Sequence, residues 1–191
     1  MNKIEGLEIK RIEPASDPLP AGGYVAIILD AEEKEYSWGS VLVISFDILE
    51  GEFKDFFKQN YKANTREDKK WKGVYRLTVP QESNQWYDSQ KRTFGNAIAC
   101  IEESNNGYHW NWDEKTLKGK TVGVLFRNFE YDVEGNTGWS TECCSLASVE
   151  DIREGNFKMP KDKPLKKKAT AMPVAPAINF EEIDDEDLPF N

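Results

Sequence analysis

The sequence predicts a mainly β domain with one helix, followed by a disordered C-terminal tail. Short apolar, β-branched runs recur between turn-forming residues, as they do in strands. One segment near the middle of the chain has helical spacing instead. After Gly155 the composition becomes rich in Lys, Ala and Pro without any periodicity, which is typical of a linker.

The predicted domain begins with two strands. Turn residues at 17–23 lead into the apolar run 24–29, and residues 30–35 extend this first strand with a more polar face. A connection at 37–39 precedes the second strand, 40–48, whose later part alternates between apolar and polar side chains. One face of it carries Ile44, Phe46 and Ile48, and the other carries Ser45 and Asp47.

A short Gly-containing turn at 50–52 predicts a hairpin, with a third strand over 53–61. The charged stretch 62–73 follows as a long loop. Residues 74–79 are compatible with another short strand, which stops at Pro80.

The helix is predicted over 89–103, because one stripe at helical spacing is apolar and Asn105-Asn106-Gly107 follows it. Strands at 121–131 and 139–146 pair around a turn at 134–136, and a helical turn at 149–154 ends at Gly155. The apolar stripe of the helix consists of Phe94, Ala97, Ile98 and Ile101.

The order strand, strand, strand, helix, strand, strand is that of an OB-like five-stranded Greek-key barrel, although other small α+β sheets share it. We therefore divide the 191 residues into four parts. These are an N-terminal extension (1–16), an OB-like nucleic-acid-binding domain (17–155), a disordered basic and Ala/Pro-rich linker (156–179) and an acidic tip (180–191).

Composition places the chain in a reducing, cytoplasmic setting. No apolar run approaches the ~20 residues of a membrane span, and the start lacks the apolar stretch of a signal peptide. Cys100, Cys143 and Cys144 form no disulfide framework and no CxxC pattern, and His109 has no partner at metal-ligand spacing. No cofactor or metal is therefore expected.

The net charge of −9 is unevenly distributed. Residues 169–191 carry −6, residues 156–168 carry +5, and residues 1–155 therefore carry −8. A protein that binds phosphates needs a basic footprint. Nucleic-acid binding is thus compatible with this sequence only if the basic residues of the domain gather on one face.

One segment, 53–76, combines basic and aromatic residues. Eight basic residues stand there against three acidic ones, for a local charge of +5. Single-stranded nucleic acids are held by aromatic side chains that stack on bases and by cations that follow the phosphates. The predicted DNA contacts are Lys54, Phe57, Lys58, Tyr61, Lys62, Lys69, Lys70, Trp71, Lys72, Tyr75 and Arg76.

Several of these aromatic residues have a second interpretation. A strand buries every second side chain, so some of Phe53, Phe56 and Phe57 are expected in the core. Tyr61, Trp71 and Tyr75 are favoured as stacking platforms, the alternative being a solvated loop with Trp71 tucked inward. Four further aromatic residues are favoured as core or dimer contacts rather than base contacts, namely Trp86, Tyr87, Trp110 and Trp112.

The chain ends in an acidic run with an apolar tip, which suits a protein-docking tail. Repulsion between the carboxylates keeps the run extended, and Pro189 limits the conformations of the tip. A frayed, charged terminus without a function is the alternative. The predicted partner-binding residues are Asp184, Asp185, Glu186, Asp187, Leu188, Pro189 and Phe190.

This tip resembles the C-terminal tip of bacterial and phage single-stranded DNA-binding proteins, in which an acidic run ends in Ile or Leu, Pro and Phe. The resemblance implies that the tip recruits replication, recombination and repair proteins. One difference is that Asn191 follows Phe190, so the free carboxylate is displaced by one residue.

The body of the chain resembles poorly characterised proteins of phages and mobile elements in Gram-positive bacteria. The resemblance covers most of 17–155 and is carried by four motifs. It implies a role in DNA replication or recombination in the host cytoplasm. The motifs lie at 19–24, 49–53, 117–120 and 152–155.

Enzyme signatures are missing: no P-loop, GxSxG, HExxH or CxxC pattern occurs. The sequence therefore predicts a sequence-nonspecific single-stranded DNA-binding protein whose tail recruits partner proteins. The alternative is a protein-interaction adaptor that engages host replication or repair machinery without binding DNA, which the acidic body favours. The oligomeric state stays open.

Overall fold

A computed structural model describes residues 18–165 of the chain. The fold is mainly β, as the sequence predicts: five antiparallel strands form one sheet in the order β3-β2-β1-β4-β5. Three α-helices and a short 3-10 helix connect these strands or follow them. The described strands are β1 (Gly22–Tyr36), β2 (Gly39–Ile48), β3 (Val74–Thr78), β4 (Thr121–Val133) and β5 (Asn136–Ala147).

The long strand β1 connects the two halves of the sheet. Its first part, up to Ile27, pairs with Thr121–Phe126 of β4. An irregularity at Leu29 then shifts the register, and the rest of β1 pairs only with β2 as far as the turn at Tyr36 and Gly39. The β1–β2 hairpin and the β4–β5 hairpin therefore extend beyond the region where β1 and β4 are paired.

The predicted alternation in β2 is confirmed and builds the core. Ile44, Phe46 and Ile48 are all at most 1% exposed. Side chains from β1, β4 and the helices pack on them in one continuous cluster. Asp47 lies on the opposite face, yet it is only 4% exposed because the first helix begins over it.

The predicted third strand over 53–61 is wrong. These residues form a turn followed by helix α1, Phe56–Ala63, and the third strand of the sheet is the short run Val74–Thr78. The Asp47 carboxylate accepts hydrogen bonds from the backbone amides of Phe57 (3.0 Å) and Lys58 (3.1 Å). It thereby satisfies first-turn donors that have no partner within the helix and fixes the start of α1 on β2.

The predicted helix is confirmed as α2, Tyr87–Glu103. Phe94, Ala97 and Ile101 of its apolar stripe are buried, and the helix packs against β5, β4 and β3. Beyond its end, the Asn105 side chain donates a hydrogen bond to the carbonyl oxygen of Ile101 and also accepts one from the Thr121 amide. These bonds join the end of α2 to the start of β4.

The 3-10 helix Glu114–Leu117 packs against β1, and the predicted turn at 149–154 is helix α3, Val149–Glu154. Gly155 ends α3 with a φ of 75°, in the left-handed region that glycine adopts without strain. The predicted antiparallel pair of the last two strands is confirmed in β4 and β5.

Residues 157–165, which we call the strap, run along β4. β5 covers one edge of β4 and β1 covers the other only to Phe126, so the strap occupies the edge that β1 leaves open. The Lys163 amide donates to the Asn128 carbonyl oxygen (2.9 Å), and the Glu130 amide donates to that of Lys163 (3.0 Å). The chain thus remains attached to the sheet beyond position 156, where the sequence predicted the linker to begin.

No helix among residues 18–165 has the length and apolarity needed to cross a membrane. The predicted N-terminal extension, the rest of the linker from position 166 and the acidic tip with its partner-binding residues lie outside the described residues.

Candidate nucleic-acid interface

Helix α1 and the loop after it carry the cations that the sequence singled out. Lys54, Lys58 and Lys62 are exposed and four residues apart, a spacing that places Lys58 and Lys62 on one side of α1. Most of the loop cations are exposed, and Lys69 is half-buried. The basic surface, as we call it, consists of Lys54, Lys58, Lys62, Arg66, Lys69, Lys70, Lys72 and, on β3, Arg76.

Tyr61 and Trp71 give the basic surface its aromatic component. Their ring centroids are 5.8 Å apart, and the Lys69 ammonium lies 4.7 Å from the centroid of the Tyr61 ring. Lys69 also donates to the Asn64 carbonyl oxygen at 3.2 Å, which holds it over that ring. Tyr61 is 37% exposed, so part of its ring is accessible beside the lysines.

Trp71 has features of both predicted arrangements, the stacking platform and the side chain tucked inward. Its indole N–H donates to the carbonyl oxygens of Phe46 and Gly73, each at 3.1 Å, and its ring packs against the core. The side chain is therefore tucked inward, although it remains partly exposed. Trp71 supports the loop and offers only part of its ring to a ligand.

Phe57 and Tyr75 require a correction, because both were predicted as DNA contacts and each is only 6% exposed. Phe57 lies on the inner side of α1, where its ring packs against Phe46 and Phe126. Tyr75 pairs with Ile44 on the inner face of the sheet, and burial raises the pKa of its phenol to about 12. Neither ring is accessible to a base.

Electrostatics distinguish the basic surface from the rest of the domain. Residues 53–76 carry +5, so the remaining residues of 1–155 carry −13. The only ion pair among the described residues that involves this surface joins Lys58 to Asp55 at 3.6 Å, and both side chains are largely exposed. An exposed pair of this kind contributes little, so the lysines stay available to phosphates.

The start of α1 does not itself provide an anion site. Helix N-termini attract phosphates through their free amides, but Asp47 already accepts hydrogen bonds from two amides of the first turn. The positive potential of this surface therefore comes from the lysine and arginine side chains and not from free helix amides.

Both hairpins carry negative charge. The tip half of β1 and the outer half of the β4–β5 hairpin each hold four carboxylates against one basic residue. The basic residue of the second hairpin, Arg127, pairs with Glu142 at 2.7 Å. Partial burial acts to raise the pKa of Glu142, but hydrogen bonds from Arg127 and Lys163 outweigh it, and the pKa of this carboxyl is lowered. The carboxylates are Asp30, Glu32, Glu33 and Glu35 in the first hairpin and Glu130, Asp132, Glu134 and Glu142 in the second.

Exposed aromatic side chains lie at both hairpins, and the sequence analysis did not identify them as a site. Tyr36 and Trp38 stack at the tip of the β1–β2 hairpin, with ring centroids 5.3 Å apart and planes within 9°. Trp139 on β5 is 52% exposed. The sequence signal for these rings was Trp38, which lies inside the predicted connection at 37–39.

The four aromatic residues predicted as core or dimer contacts do not behave alike. Trp110 packs against the core, and Tyr87 is half-buried. Trp86 and Trp112 are instead 64% and 77% exposed, so the core interpretation is wrong for them.

The three cysteines are free thiols within the fold. Burial raises the pKa of Cys100 to about 11 and raises that of Cys143 well above its usual value. A thiol that remains protonated at neutral pH is a poor nucleophile. Within residues 18–165, no cluster of His, Cys, Asp and Glu side chains is arranged to hold a metal ion.

No protein-family model matches this chain, and neither does any curated protein.

Proposed function

We propose that this protein binds single-stranded DNA without sequence specificity, in the replication or recombination of phage-type DNA in a host cytoplasm. The observation that carries this proposal is the basic surface, where exposed cations surround Tyr61 and Trp71 on an otherwise acidic domain. Cations combined with exposed rings are the features that hold a single strand.

In this proposal the lysines of α1 and the following loop follow the phosphates, and Tyr61 stacks on a base. Neither contact reads a base sequence, because phosphates are uniform and every base has a π face. Affinity is then largely electrostatic, and it falls steeply as salt is added.

The strand arrangement supports an OB-like barrel. Helix α2 lies between β3 and β4 in the chain, and β3 and β5, the two outermost strands of the sheet, contact each other. A Greek-key barrel of the OB type closes between these two strands. OB domains bind oligonucleotides on the face of their second and third strands, and Arg76 of the basic surface lies on β3.

The acidic tip supplies the second half of the proposal. We propose that Asp184–Phe190 recruits replication or recombination proteins, on the strength of its sequence alone. A protein that holds DNA and recruits other proteins in this way needs no catalytic centre, so we propose a binding role rather than an enzymatic one.

The acidic hairpins support the second candidate, an adaptor that engages host machinery without binding DNA. Stacked Tyr36 and Trp38, flanked by carboxylates, suit a cationic protein surface better than a phosphate backbone.

A titration of the full chain with oligo-dT distinguishes these candidates, with tryptophan fluorescence and gel mobility as readouts and duplex DNA for comparison. DNA binding predicts quenching and a mobility shift at low salt that weaken at moderate salt, with the single strand preferred over the duplex. If oligo-dT causes neither quenching nor a shift at low salt, the DNA-binding proposal is rejected and the adaptor is favoured.

A further inference from the structure

Two aromatic rings of the loop between α2 and the 3-10 helix form one group with Phe94 of α2, which we call the Trp112 platform. Trp110 and Trp112 have ring centroids 4.9 Å apart. The Phe94 centroid lies 5.8 Å from that of Trp110 and 6.3 Å from that of Trp112, and the planes of Phe94 and Trp112 are within 9° of parallel. Phe94 is buried on α2, so the group is attached to the core.

The loop that carries the platform is fixed by hydrogen bonds. The Trp110 amide donates to the Glu102 carboxylate at 2.8 Å, and its indole N–H donates to the Asp113 carbonyl oxygen at 3.1 Å. The Asp113 carboxylate in turn accepts from the Lys115 amide at 3.0 Å, which caps the 3-10 helix. Trp112 therefore projects from a firmly held segment.

Trp112 departs from what a bulky, apolar residue usually does. It is 77% exposed, the largest exposure among the large hydrophobic side chains of the described residues. Its φ of 68° lies in the left-handed region, which is unfavourable for a residue with a large side chain. The fold thus maintains a strained backbone that presents a tryptophan ring to solvent, and such strain often occurs at functional positions.

The surroundings of Trp112 indicate the kind of ligand. No other large hydrophobic side chain between positions 104 and 120 is exposed, so the ring lacks the apolar surroundings typical of a protein-binding hot spot. The nearby charges are Glu102, Asp113 and Glu114 against Lys115, so the surroundings are slightly acidic. A flat ring with no exposed apolar neighbour, in slightly acidic surroundings, suits a planar π ligand and gives little attraction to a phosphate.

We infer that the Trp112 platform is a stacking site for one unpaired nucleobase, separate from the basic surface. This inference rests on the proposed binding of single-stranded DNA. The basic surface holds phosphates, and the platform holds a base by ring contact. Its contribution to affinity is therefore independent of salt, whereas that of the lysines is not.

The test measures binding of fluorescently labelled oligo-dT by polarisation at several salt concentrations. Trp112→Ala removes the ring, and Trp112→Gly removes it while also relieving the left-handed backbone. Loss of one stacked base predicts about a fivefold or greater fall in affinity at every salt concentration, with the slope of log affinity against log salt unchanged. Trp112→Phe, which keeps a ring, should retain much of the affinity.

Trp86→Ala is the matched control. Trp86 is also strongly exposed, at 64%, but it belongs to no ring group among the described residues, so its removal should leave the affinity unchanged. If Trp112→Gly binds oligo-dT as tightly as wild type while removal of basic-surface lysines weakens binding, the platform is not a base-stacking site. The proposed function would then still hold. If the wild-type chain binds no oligo-dT, both proposals are rejected.

Discussion

Gly73 is the residue that lets the loop after α1 close against the sheet. Its carbonyl oxygen accepts from the Phe46 amide (2.8 Å) and from the Trp71 indole (3.1 Å). A Cβ at this position would overlap the Phe46 carbonyl oxygen and come within 2.7 Å of the Phe57 ring. The position of Trp71, and with it the aromatic part of the basic surface, therefore depends on a residue that has no side chain.

Gly73→Ala is expected to destabilise the fold by about 2 kcal/mol or more, because neither the backbone oxygen nor the packed ring can move away cheaply. Gly95→Ala is the matched control. Gly95 lies in the interior of α2, and a Cβ there would meet nothing within 4 Å. Gly95→Ala should stabilise the protein by about 0.5–1 kcal/mol, because glycine is unfavourable in a helix interior. Urea unfolding measures both, and equal effects of the two substitutions would contradict this account of Gly73.

At this scale the sequence predicted residue types better than it predicted orientations. The run 74–79 indicated a short strand, and β3 is there; Tyr75, Leu77 and Val79 alternate with Arg76 and Thr78, a pattern that indicates which face is buried and that the site prediction overlooked. Arg76 points outward and is exposed, whereas Tyr75 points inward, so only one of these two predicted contacts is accessible. Pairing of Tyr75 with the buried Ile44 agrees with this alternation.

Among the secondary-structure elements, α1 differs most from the prediction. Phe53, Phe56, Phe57 and Tyr61 follow the spacing i, i+3, i+4 and i+8, which is a helical pattern that the strand prediction overlooked. The helix has only eight residues, and isolated helices of this length are unstable in water. Asp47 on β2 and the aromatic packing stabilise it, and neither contact can be read from the local sequence.

The strap shows the same dependence on tertiary contacts. Its composition predicted a linker, because lysines and prolines without periodicity carry no strand signal. Lys163 of the strap nevertheless pairs with the open edge of β4. The Phe157 ring packs against Gly23, so closely that a Cβ at position 23 would lie 2.6 Å from the ring. Exposed strand edges are commonly covered by a neighbouring segment in this way.

Phe157→Ala in the full chain should therefore cost about 1–2 kcal/mol, because its ring fills the space over Gly23 and contributes to holding the strap. Met159→Ala serves as the control. Met159 is an apolar residue of the same strap, but it is 50% exposed, and its truncation should change stability by less than about 0.5 kcal/mol. Should both substitutions leave the urea midpoint unchanged, the strap would not be a stabilising part of the fold.

Considered as a whole, the molecule separates its charges. The basic surface lies on helix α1, the residues on either side of it and β3, while both hairpins are acidic and expose aromatic rings. This separation concentrates eight of the domain's basic residues in one segment, and such a concentration of positive charge favours nucleic-acid binding there. It also gives the chain two kinds of surface, one suited to phosphates and the other suited to cationic partners.

Strands β1, β2, β4 and β5 and the helix before β4 followed from local patterns, because their apolar runs and turns could be recognised one by one; the third strand was predicted at 53–61, and the structure has it at Val74–Thr78. The Trp112 platform could not be predicted from local patterns, because the exposure of Trp112 depends on how Glu102 and Phe94 hold the loop 108–113. Sequence reasoning thus located the basic surface to within one segment and missed the ring group around Trp112.

The salt dependence of oligo-dT binding tests the central claim most directly. In wild type, log affinity should fall linearly with log salt. The triple variant with Lys62→Ala, Lys70→Ala and Lys72→Ala should show a slope that is smaller by about 2, because each phosphate contact on a single strand contributes roughly 0.7 to the slope. The control replaces Lys118, Lys158 and Lys161, three exposed lysines outside the basic surface, and should keep the wild-type slope. A slope that is the same in both triple variants would contradict the claim that the basic surface holds the DNA.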